Sequence, residues 1–329
     1  MGDTLHFDAD GAGRMLALLG RLVAGEEVPP ADEEAVFETP AYRLFFAHHN
    51  RFAGRSLGAD EFAAMLRAIP GGEFETENPQ LEHMWGRFRQ VPGRLSALRA
   101  LHEEIAGGEV VPRAVALARR YLPPEAALDT TVFIVLDGMS GGFVYQGQVA
   151  FDLLQMRDAQ SFTQTLAHEL HHIGVEHLWR EQIENAGLPP ARRLALEFVA
   201  ILLGEGSATC LISGPPAEPE GVEQWQGHMA HLDELFARAE DLLRRTLAGE
   251  IDEAAFGTLV PSFLQGYMGE AYAIGYVVVE RLRQALGEEA VLACLREPRR
   301  TLALYNQAVE RLPGAYRFAD DLAQALAES

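Results

Sequence analysis

The chain has 329 residues, 48% of them hydrophobic and 23% charged, enough apolar material for a sizeable core and for one or two domains. Its 27 basic residues, all arginine, face 48 acidic ones, a formal net charge of −21. Such an excess of negative charge repels phosphate backbones and anionic bilayers, so neither nucleic acid nor a membrane is an expected partner.

From the N-terminus, apolar residues recur three and four apart over 11–24, 59–69, 81–107 and 110–121, a helical period. Proline and glycine break the pattern at Pro29-Pro30, Pro70-Gly71-Gly72 and Pro123-Pro124. The opening Met1-Gly2-Asp3-Thr4 is neither basic nor apolar, so no signal peptide is expected there. Asp8-Ala9-Asp10-Gly11 starts like a calcium loop, but the glutamate such a loop needs at its twelfth position is missing. Residues 1–125 therefore read as a helical N-terminal region without a motif that carries chemistry. His48 and His49 have no partner pattern within it and read as structural or solvated.

The character changes next. Thr130–Leu136 is β-branched and apolar, a strand closed by Asp137-Gly138. Gly141–Tyr145 and Gln148–Phe151 read as further short strands around Gln146-Gly147. Helices are expected again at about 159–180, 190–212, 221–248, 252–265 and 268–286, with a loop over Ser213–Gly221. The expected class is α+β and predominantly α-helical, with a small β-sheet ahead of the helix at 159–180. The expected division is 1–125 and 126–329, which can also form one continuous domain. No run reaches the roughly 18 apolar residues of a membrane span. Cys210 and Cys294 are too few for a disulfide framework and read as buried thiols, which points to the cytoplasm.

His168-Glu169-Leu170-His171-His172 contains the pattern HExxH. On a helix, His168 and His172 lie about 40° and one turn apart, so both imidazoles can reach one metal ion. Glu169 stands beside that ion, where a carboxylate can take a proton from a bound water. Ser161 with Gln164, or Asp158, is the expected N-terminal cap. A third ligand is needed. The continuation HExxHxxGxxH would place Gly at 175 and His at 178, where this chain has Val175 and Leu178. A carboxylate from a second helix is the remaining route. Glu205 offers it within Gly204-Glu205-Gly206-Ser207-Ala208, whose small residues let two helices approach closely; Glu197, two turns earlier, is the rival. Glu176 reads as a supporting partner or a surface residue. A ferritin-like di-iron site would need a second ExxH, and none is found.

These elements, with Ala271-Tyr272-Ala273-Ile274-Gly275-Tyr276 further on, resemble the gluzincin metallopeptidases, closest to bacterial zinc-dependent peptidase domains of unassigned function. The likeness covers about residues 130–290. It implies a zincin-like core, zinc held by His168, His172 and Glu205, water activated by Glu169, and a peptide or protein substrate. Tyr272 and Tyr276, one helical turn apart, are candidates to stabilise the oxyanion. His228 and His231 can reach the site or form a surface pair. Gly141–Ala150 reads either as an edge strand that pairs with an extended substrate or as a hairpin over the core. The competing reading is a non-catalytic helical scaffold with a structural or vestigial metal site. The intact Glu169 argues against decay, because a general base serves catalysis and not coordination.

Overall fold

The computed structural model of the chain describes residues 4–51, 56–139, 141–266, 268–312 and 314–328. Its contacts form two compact units: residues 4–113 with 129–163, and residues 114–128 with 164–328. This grouping differs from a cut at residue 125.

The first unit is built on a four-stranded sheet of β1 (Thr4–Asp8), β2 (Asp129–Val135), β3 (Gly142–Tyr145) and β4 (Gln148–Asp152), in the order β1-β2-β4-β3. β1 and β4 flank β2 in parallel, and β3 closes the edge antiparallel to β4. β2 is central, and Val132, Ile134 and Val135 are completely buried, as a continuous apolar run predicts. The hairpin turns at Gln146 (φ 52°) and Gly147 (φ 72°), two successive positive-φ residues as a two-residue type I′ turn requires. β1 corrects the reading of 1–125 as wholly helical. It alternates Leu5 and Phe7 with Thr4, His6 and Asp8, a strand period only five residues long, with every side chain exposed or half-buried, and its backbone pairs with β2 from Thr4↔Asp129 to Asp8↔Phe133.

Two further helices follow, Pro30–Phe37, which begins where Pro29-Pro30 suggested a break, and Pro40–His49, which also opens on proline. Proline fits the first helical position, since its missing N–H would find no partner there anyway. The stretch 81–107 is likewise two helices, Pro79–Phe88 and Val91–Ala106. Packed beside β2, the buried Tyr42 hydroxyl accepts from Leu136 N at 3.1 Å, and His49 Nε2 lies 2.9 Å from Oδ1 of the buried Asp137.

The second unit is helical. The motif helix, Ala159–Trp179, starts among the last residues of the first unit, where it is capped by Asp158, whose Oδ1 accepts from Ser161 N at 2.7 Å while Ser161 Oγ accepts from Asp158 N, and its residues from 164 on belong to the second unit. It runs on into a π-helical turn, Arg180–Glu184. The ligand helix, Pro190–Ala208, ends in a second π-helical turn, Thr209–Ser213. Together, Pro190–Ser213 are long and apolar enough to span a bilayer, with a mean hydropathy of 1.7 over an 18-residue window, but 78% of that window is already buried by protein. The crossing helix, Glu270–Leu286, packs on the ligand helix at Gly206 and Gly275, which face each other across it. The stretch 221–248 divides into Pro219–Ala230 and Leu232–Leu247, because His231 leaves the helical region (φ −121°, ψ 27°). The protein is α+β and predominantly α-helical.

Candidate metal centre

The motif helix buries Leu166, Ala167 and Leu170 and turns His168, Glu169 and His172 to the opposite side. The ligand helix is buried at twelve of its nineteen residues, and Glu205 is among the half-buried ones. The two helices bring three ligand atoms together. His172 Nε2 lies 3.0 Å from His168 Nε2 and 3.4 Å from Glu205 Oε2, and His168 Nε2 lies 3.9 Å from the same oxygen. Zinc with bonds of about 2.0–2.1 Å sets tetrahedral ligands roughly 3.4 Å apart, so this triangle has the right size. Glu205 Oε2 is buried without a hydrogen-bond donor in bonding geometry, an orphaned acceptor aimed at the two imidazoles. Two histidines and a carboxylate are the donor set of a three-ligand zinc site that keeps a fourth position open. Among the described residues, His168, His172 and Glu205 form the cluster able to hold a metal ion.

The electrostatics split the cluster. Burial, reinforced by neighbouring His172, brings His168 down to about 3, so it is neutral and its lone pair is free. Burial also works against charge on His172, but the Glu205 carboxylate outweighs it and pushes this imidazole up to about 9. Burial would raise Glu205; the imidazoles, His172 foremost, hold it below the ordinary carboxylate range. Glu169 is raised by burial and by the charge of Glu205, which increases its appetite for a proton.

Of the two tyrosines, only Tyr272 faces the cluster. Burial and the nearby Glu205 and Glu169 carboxylates raise its phenol, so it stays protonated and available as a donor. Tyr276 instead packs edge-on against Trp225, with ring centroids 5.2 Å apart, and its phenol is raised by burial first and then by Cys210 and Glu280, with no contribution from the cluster. Glu197 is drawn into an ion pair with Arg193 and stands outside the triangle. Glu176 is a surface residue 3.9 Å from Arg180. His228 Nε2 lies 3.1 Å from the Met268 carbonyl, and His231 is exposed beside Glu234. His48 stacks on Phe143 in the first unit, with centroids 3.9 Å apart. Cys294 is buried, as expected, and Cys210 is half-buried.

One residue of the site goes unread in the sequence. Ser213 Oγ lies 3.2 Å from His168 Nδ1 and 3.4 Å from the carbonyls of Ala208 and Gly214. A hydroxyl that donates to a carbonyl accepts from an imidazole N–H, so Ser213 fixes His168 with its proton on Nδ1 and Nε2 open to a metal.

No curated protein and no solved structure matches the chain. Residues 34–314, which include the motif helix, the ligand helix and Tyr272, match the family model described as "Putative zinc dependent peptidase (DUF5700)", and the chain belongs to that family.

Proposed function

We propose that the protein is a zinc-dependent hydrolase that cleaves peptide bonds in peptide or protein substrates, with His168, His172 and Glu205 holding the metal. The observation that carries this reading is the convergence of two imidazole Nε2 atoms and an orphaned, buried carboxylate oxygen. When bound, zinc polarises a substrate carbonyl and brings the pKa of a water molecule it carries towards about 7. Glu169 takes the proton of the attacking water on its carboxylate and delivers it to the departing amine. Its buried setting supports that exchange, because a raised proton affinity favours both the capture and the holding of the proton. Tyr272 donates its phenolic hydrogen to the carbonyl oxygen as negative charge develops there. Ser213 keeps His168 in the tautomer that coordinates. The net charge of −21 disfavours nucleic acid as a partner, and two cysteines without a disulfide framework favour a cytoplasmic setting.

Elemental mass spectrometry on purified protein, beside His168→Ala, Glu205→Ala and Glu169→Gln, tests the reading. The expected result is about one zinc per chain in wild type and Glu169→Gln, and loss of zinc in the two ligand variants. Peptide turnover should fall roughly 10²–10⁴-fold in Glu169→Gln. Zinc without Glu169-dependent turnover would support a structural metal site instead, and no zinc at all would overturn the proposal.

A further inference from the structure

The face of the motif helix that carries His168 and His172 does not end at the metal ligands. It continues through Glu176 and Trp179 into Ile183 of the π-helical turn. Opposite lie Glu205, Ile201 and Glu197 of the ligand helix, successive residues four apart and so along one face. Between the two faces is a cavity of about 350 Å³ that starts at His172 and Glu205. It falls within the roughly 300–1,000 Å³ of small-ligand pockets. Its walls are apolar: Val175, Trp179, Ile183, Ile201 and Leu264. Gly204 lines it as well, and a Cβ there would make ordinary van der Waals contact with the Trp179 ring at 3.4 Å and with His172 Nδ1 at 3.5 Å.

The charged groups of the cavity lie at its rim. Glu176 and Glu184 are exposed, Glu197 is satisfied by Arg193, and Arg180 is the lining cation. The rim is therefore net negative around an apolar interior. Trp179 is held in place by its indole N–H, which donates to the Leu295 carbonyl at 2.8 Å, so its ring is a fixed wall.

We infer that this cavity is the specificity pocket of the site, and that it takes a large apolar side chain, aromatic or branched aliphatic, from the substrate residue next to the scissile bond. An acidic side chain is rejected on two grounds, desolvation against apolar walls and repulsion by the rim carboxylates. The inference rests on the zinc reading of His168, His172 and Glu205.

Amino-acid hydroxamates separate the two, because the hydroxamate binds a zinc ion and the side chain probes the pocket without any turnover. Glycine, leucine, phenylalanine and glutamate hydroxamates are titrated calorimetrically into zinc-loaded protein. Burial of a leucine or phenylalanine side chain is expected to tighten binding at least about tenfold over glycine hydroxamate, with glutamate hydroxamate no tighter than glycine. Ile201→Phe, which fills the cavity, should bring the phenylalanine-to-glycine ratio near one; the ratio is the readout, so a general loss of affinity does not imitate it. Leu264→Ala, which enlarges the cavity, should raise the ratio for tryptophan hydroxamate. Equal affinity for all side chains on zinc-loaded protein overturns the pocket and leaves the metal site standing. No zinc-dependent binding of any hydroxamate overturns both.

Discussion

The Ser213 hydroxyl and the Nδ1 of His168 meet at 3.2 Å although 45 residues separate them. The contact exists because the ligand helix loosens into a π-helical turn after Ala208, which carries Ser213 back over the motif helix. One helix with the turn that follows it thereby supplies both Glu205, the carboxylate of the candidate metal cluster, and the hydroxyl that meets His168 of the same cluster. Loss of a partner of this kind costs about 10–100-fold in metal affinity. Ser213→Ala is expected to weaken zinc binding by that factor in competition with a chromophoric chelator, and Ser213→Thr to restore most of it. Wild-type affinity in the alanine variant would mean that His168 needs no such support.

Tyr272 and Tyr276 sit one turn apart on the crossing helix, yet only the first faces Glu205 while the second packs on Trp225. Tyr272→Phe removes a proton donor without removing a ligand. Peptide turnover is expected to drop roughly 10²–10³-fold through kcat, as when an oxyanion donor is lost, with zinc content unchanged. Tyr276→Phe should leave kcat close to wild type. Steady-state kinetics on both variants would expose the assignment as wrong if the second were the more damaging.

What the sequence discloses follows how local each signal is. His168, Glu169 and His172 are legible because helical geometry alone fixes their mutual placement. Glu205 is legible through its neighbours: Gly206 is small because the crossing helix passes against it. Choosing between Tyr272 and Tyr276 needs the position of the ligand helix along the crossing helix, which periodicity does not contain. Ser213 depends on a π-helical turn, and β1 on a partner strand that begins 125 residues later at Asp129. Pro30 misleads for a different reason. Proline marks the start of a helix as readily as its end, and its position in the pattern does not say which.

Asp152 gives the first unit a pH dependence of its own. Fully buried at the end of β4, it accepts from the backbone N–H groups of Asp137, Gly138 and Leu154 at 2.9–3.0 Å. Burial, with the neighbouring Asp137, nevertheless pushes its carboxyl up to about 7 from an ordinary 3.8. Between those values the folded chain holds a proton that the unfolded chain has released. This group's contribution to stability is then complete below about pH 4, declines through pH 7 with a slope of at most about 1.4 kcal/mol per unit, and is flat above. Asp152→Asn removes the titration and also sets an amide N–H₂ against backbone donors, so it is less stable throughout. The gap in stability between wild type and variant, from urea unfolding at several pH values, should narrow between pH 4 and 7. A gap that is constant or widens would show that Asp152 does not titrate in this range.

Gly206 and Gly275 mark where the ligand helix and the crossing helix touch backbone to backbone. A Cβ on Gly275 would lie 1.8 Å from the Leu202 carbonyl oxygen and 2.9 Å from both N and Cα of Gly206. No rotamer relieves that overlap, because every atom involved is backbone, so the helices must separate. Gly275→Ala is expected to cost about 1–3 kcal/mol or more. The damage should also reach the metal, since Glu205 adjoins Gly206 and Tyr272 lies one turn before Gly275, and a shift between these helices pulls the third ligand from the two imidazoles. Gly257→Ala is the control, at an exposed position inside the helix Glu253–Leu264 with nothing within 4 Å of the new methyl. Removing a helix-interior glycine there should hold or raise the melting temperature. Thermal unfolding with zinc titration on both variants distinguishes close approach from ordinary glycine cost. If Gly275→Ala melts with Gly257→Ala and keeps its zinc, the crossing does not position the site.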